Sequence, residues 1–219
     1  MKKYLEILKK CSLFYDIDDE SLLRMLHCLG ARVEFFDKKY TVFAEGTVTK
    51  YIGIVLSGSV HSIHFDYYGN RSIIDIAGES EIFCESFACA ETNAIPVSII
   101  ADEPSEIMLV DCSHILHTCH NNCGHHQKLI YNLMKGIAEK NVSLHRRLDV
   151  TSKRTTRDKL LAYLMSEAKR KGSNYFEIPF DRQELADYLE VDRSGLSAEI
   201  SKMKKEGLID CNKSCFKLL

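Results

Sequence analysis

The stretch from Asp181 to Glu206, DRQELADYLEVDRSGLSAEISKMKKE, leaves few ways to fold. Asp181 suits an N-cap, because its carboxylate accepts the unpaired N–H groups of a first helical turn. Glu184, three residues on, completes a variant of the capping box. Leu185, Ala186 and Leu189 then share one helical face. Asp192 is a second N-cap, so the chain turns across Glu190 and Val191. In the helix that follows, Leu196, Ile200 and Met203 fall at i, i+4 and i+7 and form one apolar stripe. The opposite face carries Ser194, Ala198, Ser201, Lys202 and Lys205, with Arg193 at its edge in the first turn. Two helices with inward apolar faces need a third beneath them. The free face of the second is short, polar and basic, which fits a helix-turn-helix that lays this helix in a DNA major groove. The same spacing also describes a helical hairpin with a solvated outer face, so the neighbouring segments matter.

Residues 2–29 read as helical, with Leu5 and Leu8 on one face. A second helix starts near Asp18 or Asp19, buries Leu22, Leu23, Leu26 and Leu29, and ends at Gly30. From Arg32 to Val110 the pattern changes. RVEFF, TVFA, YIGIVL, SVHSIHF, SIIDIA, PVSIIA and EIMLV are rich in β-branched and aromatic residues and are separated by turn residues. Strands at this spacing, with no long helix between them, imply an antiparallel sandwich or barrel.

Residues 112–149 return to helix. Ile130, Met134, Ile137, Asn141, Leu144 and Leu148 alternate spacings of four and three, a coiled-coil seam. Asn141 sits where a buried polar residue fixes register in two-stranded coils. The alternative is an ordinary core helix packed on the β domain; the regular seam favours a dimer. KRTTRDKLLAYLMSEAKRK, residues 153–171, supplies the third helix, with Leu160, Leu161, Leu164 and Met165 inside, and Gly172-Ser173-Asn174 ends it. A short strand at Tyr175 to Pro179 leads into the two-helix motif. Leu208 to Cys211, a turn at Asn212-Lys213, and Cys215 to Lys217 read as a two-stranded wing.

Charge is unevenly spread. Residues 151–219 hold 14 Lys and Arg against 11 Asp and Glu, and residues 1–150 hold 15 against 20. A mildly basic C-terminal third on an acidic body fits nucleic-acid contact by that third alone. Met1-Lys2-Lys3 leads into an amphipathic stretch rather than an apolar one, and no apolar run approaches the ~20 residues a membrane span needs. A cytoplasmic protein without membrane contact is expected. Its nine cysteines then read as reduced thiols, metal ligands or redox sensors rather than a disulfide frame.

A helical start, a β domain, a long helix and a C-terminal winged helix, in this order and at this length, resemble the Crp/Fnr family of bacterial transcription regulators. RQELADYLEVDRSGLSAEISKMKKEGLI is similar to the family's two-helix signature, and YIGIVLSGSV, with Gly58 at the turn, to its cyclic-nucleotide-binding β-roll. The resemblance implies an α+β chain. Residues 1–124 would form an N-terminal antiparallel β-roll, a double-stranded β-helix of jelly-roll type that senses an effector. Residues 125–150 would be a dimerisation helix, and 151–219 a winged helix-turn-helix. It implies a homodimer on a palindromic double-stranded operator, working with RNA polymerase. By the same resemblance Arg193, Ser194 and Ala198 stand where base edges are touched. Arg193 could pair bidentately with guanine O6 and N7. Ala198 departs from the family, where arginine is usual, and can offer only a thymine-methyl contact. Ser197, Lys202, Arg182, Lys153, Arg154 and Arg157 are the expected phosphate or supporting contacts.

The effector pocket implied by the resemblance contains Glu79, Phe83, Cys84, Glu85, Ser86 and Ser143. In the family's cyclic-nucleotide binders a Gly-Glu pair and a later Arg-Ser hold phosphate and ribose. Here Cys84 takes the glycine position before Glu85, and Ile95-Pro96 stands where Arg-Ser should be. No Arg or Lys occurs between Arg71 and Lys128. A buried phosphate would lack a cation, so the expected effector is not cyclic AMP but another small molecule or a redox or metal input. CSHILHTCHNNCGHH, Cys112 to His126, supplies thiolates and imidazoles that suit a transition metal, with Cys112, Cys119, Cys123 and His120 as candidate ligands. Cys84 and Cys89 could join them from across the β domain. The segment has no C-x-x-C, and it also reads as a loop of polar residues and free thiols. No Walker loop, G-x-G-x-x-G or persuasive Ser/His/Asp set is present, so no enzyme is expected. The remaining alternative is a small-molecule-binding β-roll whose C-terminal domain docks a protein.

Overall fold

The computed structural model describes residues 1–116 and 124–219. They form two units, Met1–Gly69 with Ile74–Lys140, and Asn70–Ile73 with Asn141–Leu219. In the first, the N-terminal segment is broken rather than largely helical. A 3-10 turn at Lys2–Tyr4, α1 (Leu5–Leu8), a second 3-10 turn at Ser12–Phe14 and α2 (Asp19–Cys28) follow one another. Asp16 takes a left-handed backbone, φ +61°. Asp18 then caps α2 by accepting from the Ser21 N–H at 3.0 Å. Leu22, Met25, Leu26 and Leu29 are buried.

Eight strands follow: β1 (Arg32–Phe36), β2 (Thr41–Phe43), β3 (Tyr51–Ser57), β4 (Val60–Phe65), β5 (Arg71–Ala77), β6 (Ile82–Phe83), β7 (Ser98–Ala101) and β8 (Ser105–Asp111). They make two four-stranded sheets, ordered β1-β8-β3-β6 and β2-β7-β4-β5. β8 runs antiparallel to β1 and β3, and β7 to β2 and β4. The two-residue β6, paired with Gly53 and Ile54, is too short for any periodicity to announce. β3 and β8 are apolar on both faces, because successive side chains enter different cores. Val55, Ile107 and Leu109 join Phe36, Val60, Phe83 and Ile99 in one cluster. Ile54, Met108 and Val110 join Leu8, Leu22 and Leu26 in the other.

Three helices accompany the strands: α3 (Glu85–Cys89), α4 (Cys112–Leu116) and the long α5 (Gly124–Thr151), whose residues up to Lys140 belong to this unit. Leu129 and Leu133 of α5 enter the helical core. Between them the buried Asn132 donates its amide to the carbonyls of Leu13 at 3.1 Å and Tyr15 at 2.8 Å. These bonds, with the Lys128–Asp16 pair at 2.6 Å, hold the irregular N-terminal segment against α5.

The second unit holds α6 (Thr156–Lys171), β9 (Tyr175–Glu177), α7 (Arg182–Leu189), α8 (Arg193–Lys205), β10 (Ile209–Asn212) and β11 (Cys215–Leu218). The wing is three-stranded, β10-β11-β9, since Phe176 pairs with Phe216. α6 starts at Thr156, three residues later than its pattern suggests, because the Thr155 hydroxyl accepts from the Asp158 N–H. Leu160 and Leu164 are buried as expected, but Met165 points outward. Tyr163 takes the inner place, its ring 6.1 Å from that of Phe180 and 5.4 Å from that of Tyr188. No helix among the described residues is long and apolar enough to cross a membrane.

Gly58 closes the β3–β4 turn at φ +82°, and a Cβ there would lie 2.3 Å from Ser105 Oγ and 2.7 Å from the Pro104 carbonyl oxygen. Gly69 has a similar φ, +80°, with nothing within 4 Å. Gly69→Ala should therefore cost only the left-handed backbone, about 1–2 kcal/mol. Gly58→Ala adds overpacking and should cost roughly 2–4 kcal/mol. Urea unfolding of the two variants measures this, and equal losses would refute the packing contribution at Gly58.

Candidate nucleic-acid interface

The two helices of the motif are set by their caps. Asp181 accepts from the Glu184 N–H at 2.8 Å while the Glu184 carboxylate accepts from the Asp181 N–H at 2.8 Å, a complete capping box. Asp192 accepts from the Gly195 N–H at 2.8 Å and from the Ser194 hydroxyl. Those bonds hold its carboxyl below the usual range, the Ser194 hydroxyl contributing most. Between the helices Glu190 adopts a left-handed backbone, φ +54°.

Leu185, Ala186 and Leu189 of α7 and Leu196, Ile200 and Met203 of α8 are all buried. α8 thereby exposes Arg193, Ser194, Ala198, Ser201, Lys202 and Lys205 on its other side, with Ser197 half-buried beside them. The expected base-edge and backbone residues of this helix thus share one outward surface. The supporting basic residues behave differently. Arg157 of α6 reaches Glu199 at 3.3 Å and also pairs with Glu206, so it ties α6 to α8. Lys153 pairs with Asp149 at 2.7 Å. Arg182 lies over the Phe216 ring, 5.5 Å from its centroid. Lys159, which pattern reading passed over, donates to the carbonyls of Leu189 and Glu190 at 3.1 and 3.2 Å. A cation there satisfies the free carbonyls at the end of α7 and stabilises the turn.

On α5, Met134 and Leu148 are each 63 % exposed, and Asn141, Ser143 and Leu144 are exposed as well. Ile130 and Ile137 of the seam are half-buried against the helical core.

A cyclic nucleotide-binding domain model matches residues 33–122 and a Crp-like helix-turn-helix domain model matches residues 158–219. Together they span more than half of the chain and fall on the β-roll and on the capped helix pair. The chain belongs to the Crp/Fnr family of transcription regulators. Its fold is that of solved structures at low identity. The c-di-GMP-responsive global regulator CLP of Xanthomonas campestris is 16 % identical with a TM-score of 0.73, covering 92 % of this chain and 99 % of that one. A CooA variant from Carboxydothermus hydrogenoformans is 20 % identical with a TM-score of 0.69, covering 92 % of each. FixK2 from Bradyrhizobium japonicum is 16 % identical with a TM-score of 0.65, covering 86 % and 92 %. No curated protein matches the chain in sequence.

The chemistry of the β-roll around α3 is unusual. Cys84 precedes α3 with a left-handed backbone, φ +61°, a conformation that favours glycine. Glu85 is only 2 % exposed. Its partner is Lys140 of α5, whose ammonium lies 3.0 Å from Glu85 Oε1, 3.0 Å from Asp75 Oδ2 and 2.8 Å from the Ile82 carbonyl oxygen. An ammonium has three N–H donors, so Lys140 is fully used. Burial alone would pull its pKa down, but Asp75 and Glu85 outweigh burial and hold it above the ordinary 10.5. Ile95, at the position expected to bind sugar-phosphate, is fully buried. Phe83 is buried with its ring against Gly53, whereas Glu79 and Ser86 are exposed. Lys140 was invisible to motif reading because its partners lie more than fifty positions away.

Of the cysteine and histidine set, Cys112 is buried at the start of α4 and its sulfur lies 3.3 Å from that of Cys89. The hydrogen bond between the two free thiols holds Cys89 below its ordinary pKa and pushes Cys112 up. Burial pushes the thiols of Cys11 and Cys84 up to about 12. His125 Nε2 is 3.1 Å from Ser21 Oγ, and His126 Nε2 is 2.9 Å from the His114 carbonyl oxygen. Cys119, Cys123 and His120 lie outside the described residues.

Lys140→Met should strand the Glu85 carboxylate. Removing one partner of a buried pair costs ~3–5 kcal/mol; with the Lys140 side chain 31 % exposed, about 2–4 kcal/mol is expected. The lysine pKa is raised in the folded state, so its contribution is complete below 10.5 and fades as pH climbs through the higher folded value. Unfolding curves at pH 7 and in that alkaline window test both points. The double variant Lys140→Met/Glu85→Gln should recover part of the loss at pH 7. No recovery would mean that the carboxylate charge is not what was stranded.

Proposed function

We propose that the chain is a homodimeric, sequence-specific DNA-binding regulator that reads a palindromic operator through α8 and pairs through the seam of α5. The observation that carries this reading is the outward face of α8, basic and polar while its other side is buried. Arg193 and Ser194 of the first turn specify bases, with Ala198 one turn on against a thymine methyl. Ser197, Lys202 and Arg182 position the duplex, and Lys153 and Arg157 support it through their ion pairs. Exposed Met134, Leu144 and Leu148 support a twofold contact along α5, with Asn141 fixing register. RNA polymerase is the further partner, and the cytoplasm the place of action. The β-roll takes a redox, metal or small-molecule input other than cyclic AMP. Lys140 is committed to two carboxylates and a carbonyl, and no other cation lies between Arg71 and Lys128.

Selection from a random DNA pool should return a two-half-site sequence whose affinity falls with salt at a log–log slope of about −0.9 per neutralised phosphate. Arg193→Ala should weaken binding about tenfold or more and relax one position in each half-site. Leu148→Glu should yield monomers in sedimentation and lose operator affinity. A pool without a repeated half-site, or a salt-independent complex, would favour the protein-docking alternative. Calorimetric titration with cyclic AMP should give no heat of binding at micromolar concentration; a micromolar complex would overturn the assignment of Lys140.

A further inference from the structure

Cys89 ends α3 and Cys112 opens α4, and their sulfurs are 3.3 Å apart with no bond between them. Closing to the ~2.05 Å of a disulfide needs a shift of little more than 1 Å, within reach of side-chain rotation. The two sulfurs are unequally accessible. Cys89 is half-buried and open to a small oxidant, whereas Cys112 is 1 % exposed within the helical core. Such a pairing of an accessible thiol with a sheltered one suits sequential oxidation, the first sulfur meeting the oxidant and the second resolving it. Cys11 and Cys84 are buried, and Cys28 lies exposed on α2.

We propose that Cys89 and Cys112 form a reversible dithiol–disulfide site, oxidised by a peroxide, that is the regulatory input of the β-roll. This rests on the gene-regulator reading and supplies its effector. In the first step the Cys89 thiolate attacks one oxygen of hydrogen peroxide. An S–O bond forms, the O–O bond breaks, and hydroxide leaves and takes up the thiol proton as water. In the second, the Cys112 sulfur attacks the Cys89 sulfenic acid. An S–S bond forms, the S–O bond breaks, and hydroxide leaves with the Cys112 proton as a second water. Two thiols lose two electrons in all, and peroxide is reduced to water. A small dithiol reverses the change by thiol–disulfide exchange. The bond fastens α3, which carries Glu85, to the start of α4. Glu85 in turn holds Lys140 of α5, so the oxidised state reaches the long helix through a buried ion pair.

The test uses the full chain, reduced, freed of metal with a chelator, and treated with hydrogen peroxide in slight excess. Trypsin cannot separate the cysteines, since no Lys or Arg lies between Arg71 and Lys128. Cleavage after Glu85, Glu91 and Glu106, with chymotryptic cleavage at Leu116, isolates Cys89 and Cys112 on separate peptides. The expected result is a Cys89–Cys112 cross-linked peptide that dithiothreitol removes, and a thermal midpoint raised by roughly 5–10 °C. Operator affinity should change at least fivefold on oxidation. Cys89→Ser and Cys112→Ala, the latter keeping the core apolar, should show one affinity with or without peroxide, and Cys119→Ser/Cys123→Ser should respond like the parent. A disulfide mapped to other cysteines, loss of the response in Cys119→Ser/Cys123→Ser, or an unchanged operator affinity once the bond is complete would overturn the proposal. The peptide map is scored without DNA. A chain that bound no operator in either state would therefore sink the regulator reading separately, while the thiol pair would stand or fall on its own peptide.

Discussion

Three side chains decide what α8 presents. Leu196, Ile200 and Met203 are buried on one side of it, and each such burial is worth ~1.5–3 kcal/mol. A helix turns by about 100° per residue, so rotating α8 by a single position would bring these residues into water and bury polar ones. The outward surface is therefore a consequence of the inward one. Arg157 adds a constraint along the axis, because it holds Glu199 mid-helix and Glu206 just past the end. Asp192 fixes where the helix starts. Phase, position and first turn are each set by a different kind of interaction, hydrophobic, ionic and capping. A surface that must match a fixed DNA groove needs all three.

The β-roll faces the opposite electrostatic problem. A carboxylate as buried as Glu85 is unstable without a cation, and α3 itself carries none. The chain meets this need from α5 with Lys140, which uses every donor it has. The arrangement answers to neutrality of the buried site. An anionic ligand seated there would have to separate Lys140 from Glu85 and then leave that carboxylate exposed to the ligand's own charge. A change that leaves net charge alone, such as joining two thiols, carries no such penalty.

Much of this was legible in the chain. The capping box, the second cap at Asp192, the stripe on α8 and seven of the eight strands follow from local spacing, and local spacing is what a sequence displays. What escaped notice depended on distance. Met165 and Tyr163 both fit the inner arc of α6 by pattern, and only the aromatic ring stack with Phe180 and Tyr188 decides for the tyrosine. The wing's third strand is set by a pairing of Phe176 with Phe216 that no periodicity encodes. By sequence Arg157 is an expected phosphate contact, because its two partners, Glu199 and Glu206, lie more than forty positions on. The approach of Cys89 to Cys112 was visible only as a pair of residue types on the same domain, and its 3.3 Å separation needed the sheet that brings α3 and α4 together.

α5 joins these local solutions. One of its faces buries Leu129, Asn132 and Leu133, one delivers Lys140 to Glu85, and one leaves Met134, Leu144 and Leu148 in solvent. These faces belong to one continuous helix from Gly124 to Thr151. In the proposed switch, a bond formed at α3 acts on how Glu85 holds Lys140 of α5. Coupling of this kind requires two discrete arrangements of a packed element. The saturated ammonium supplies one of them, since a lysine with three acceptors is either fully in place or leaves a buried carboxylate unpaired.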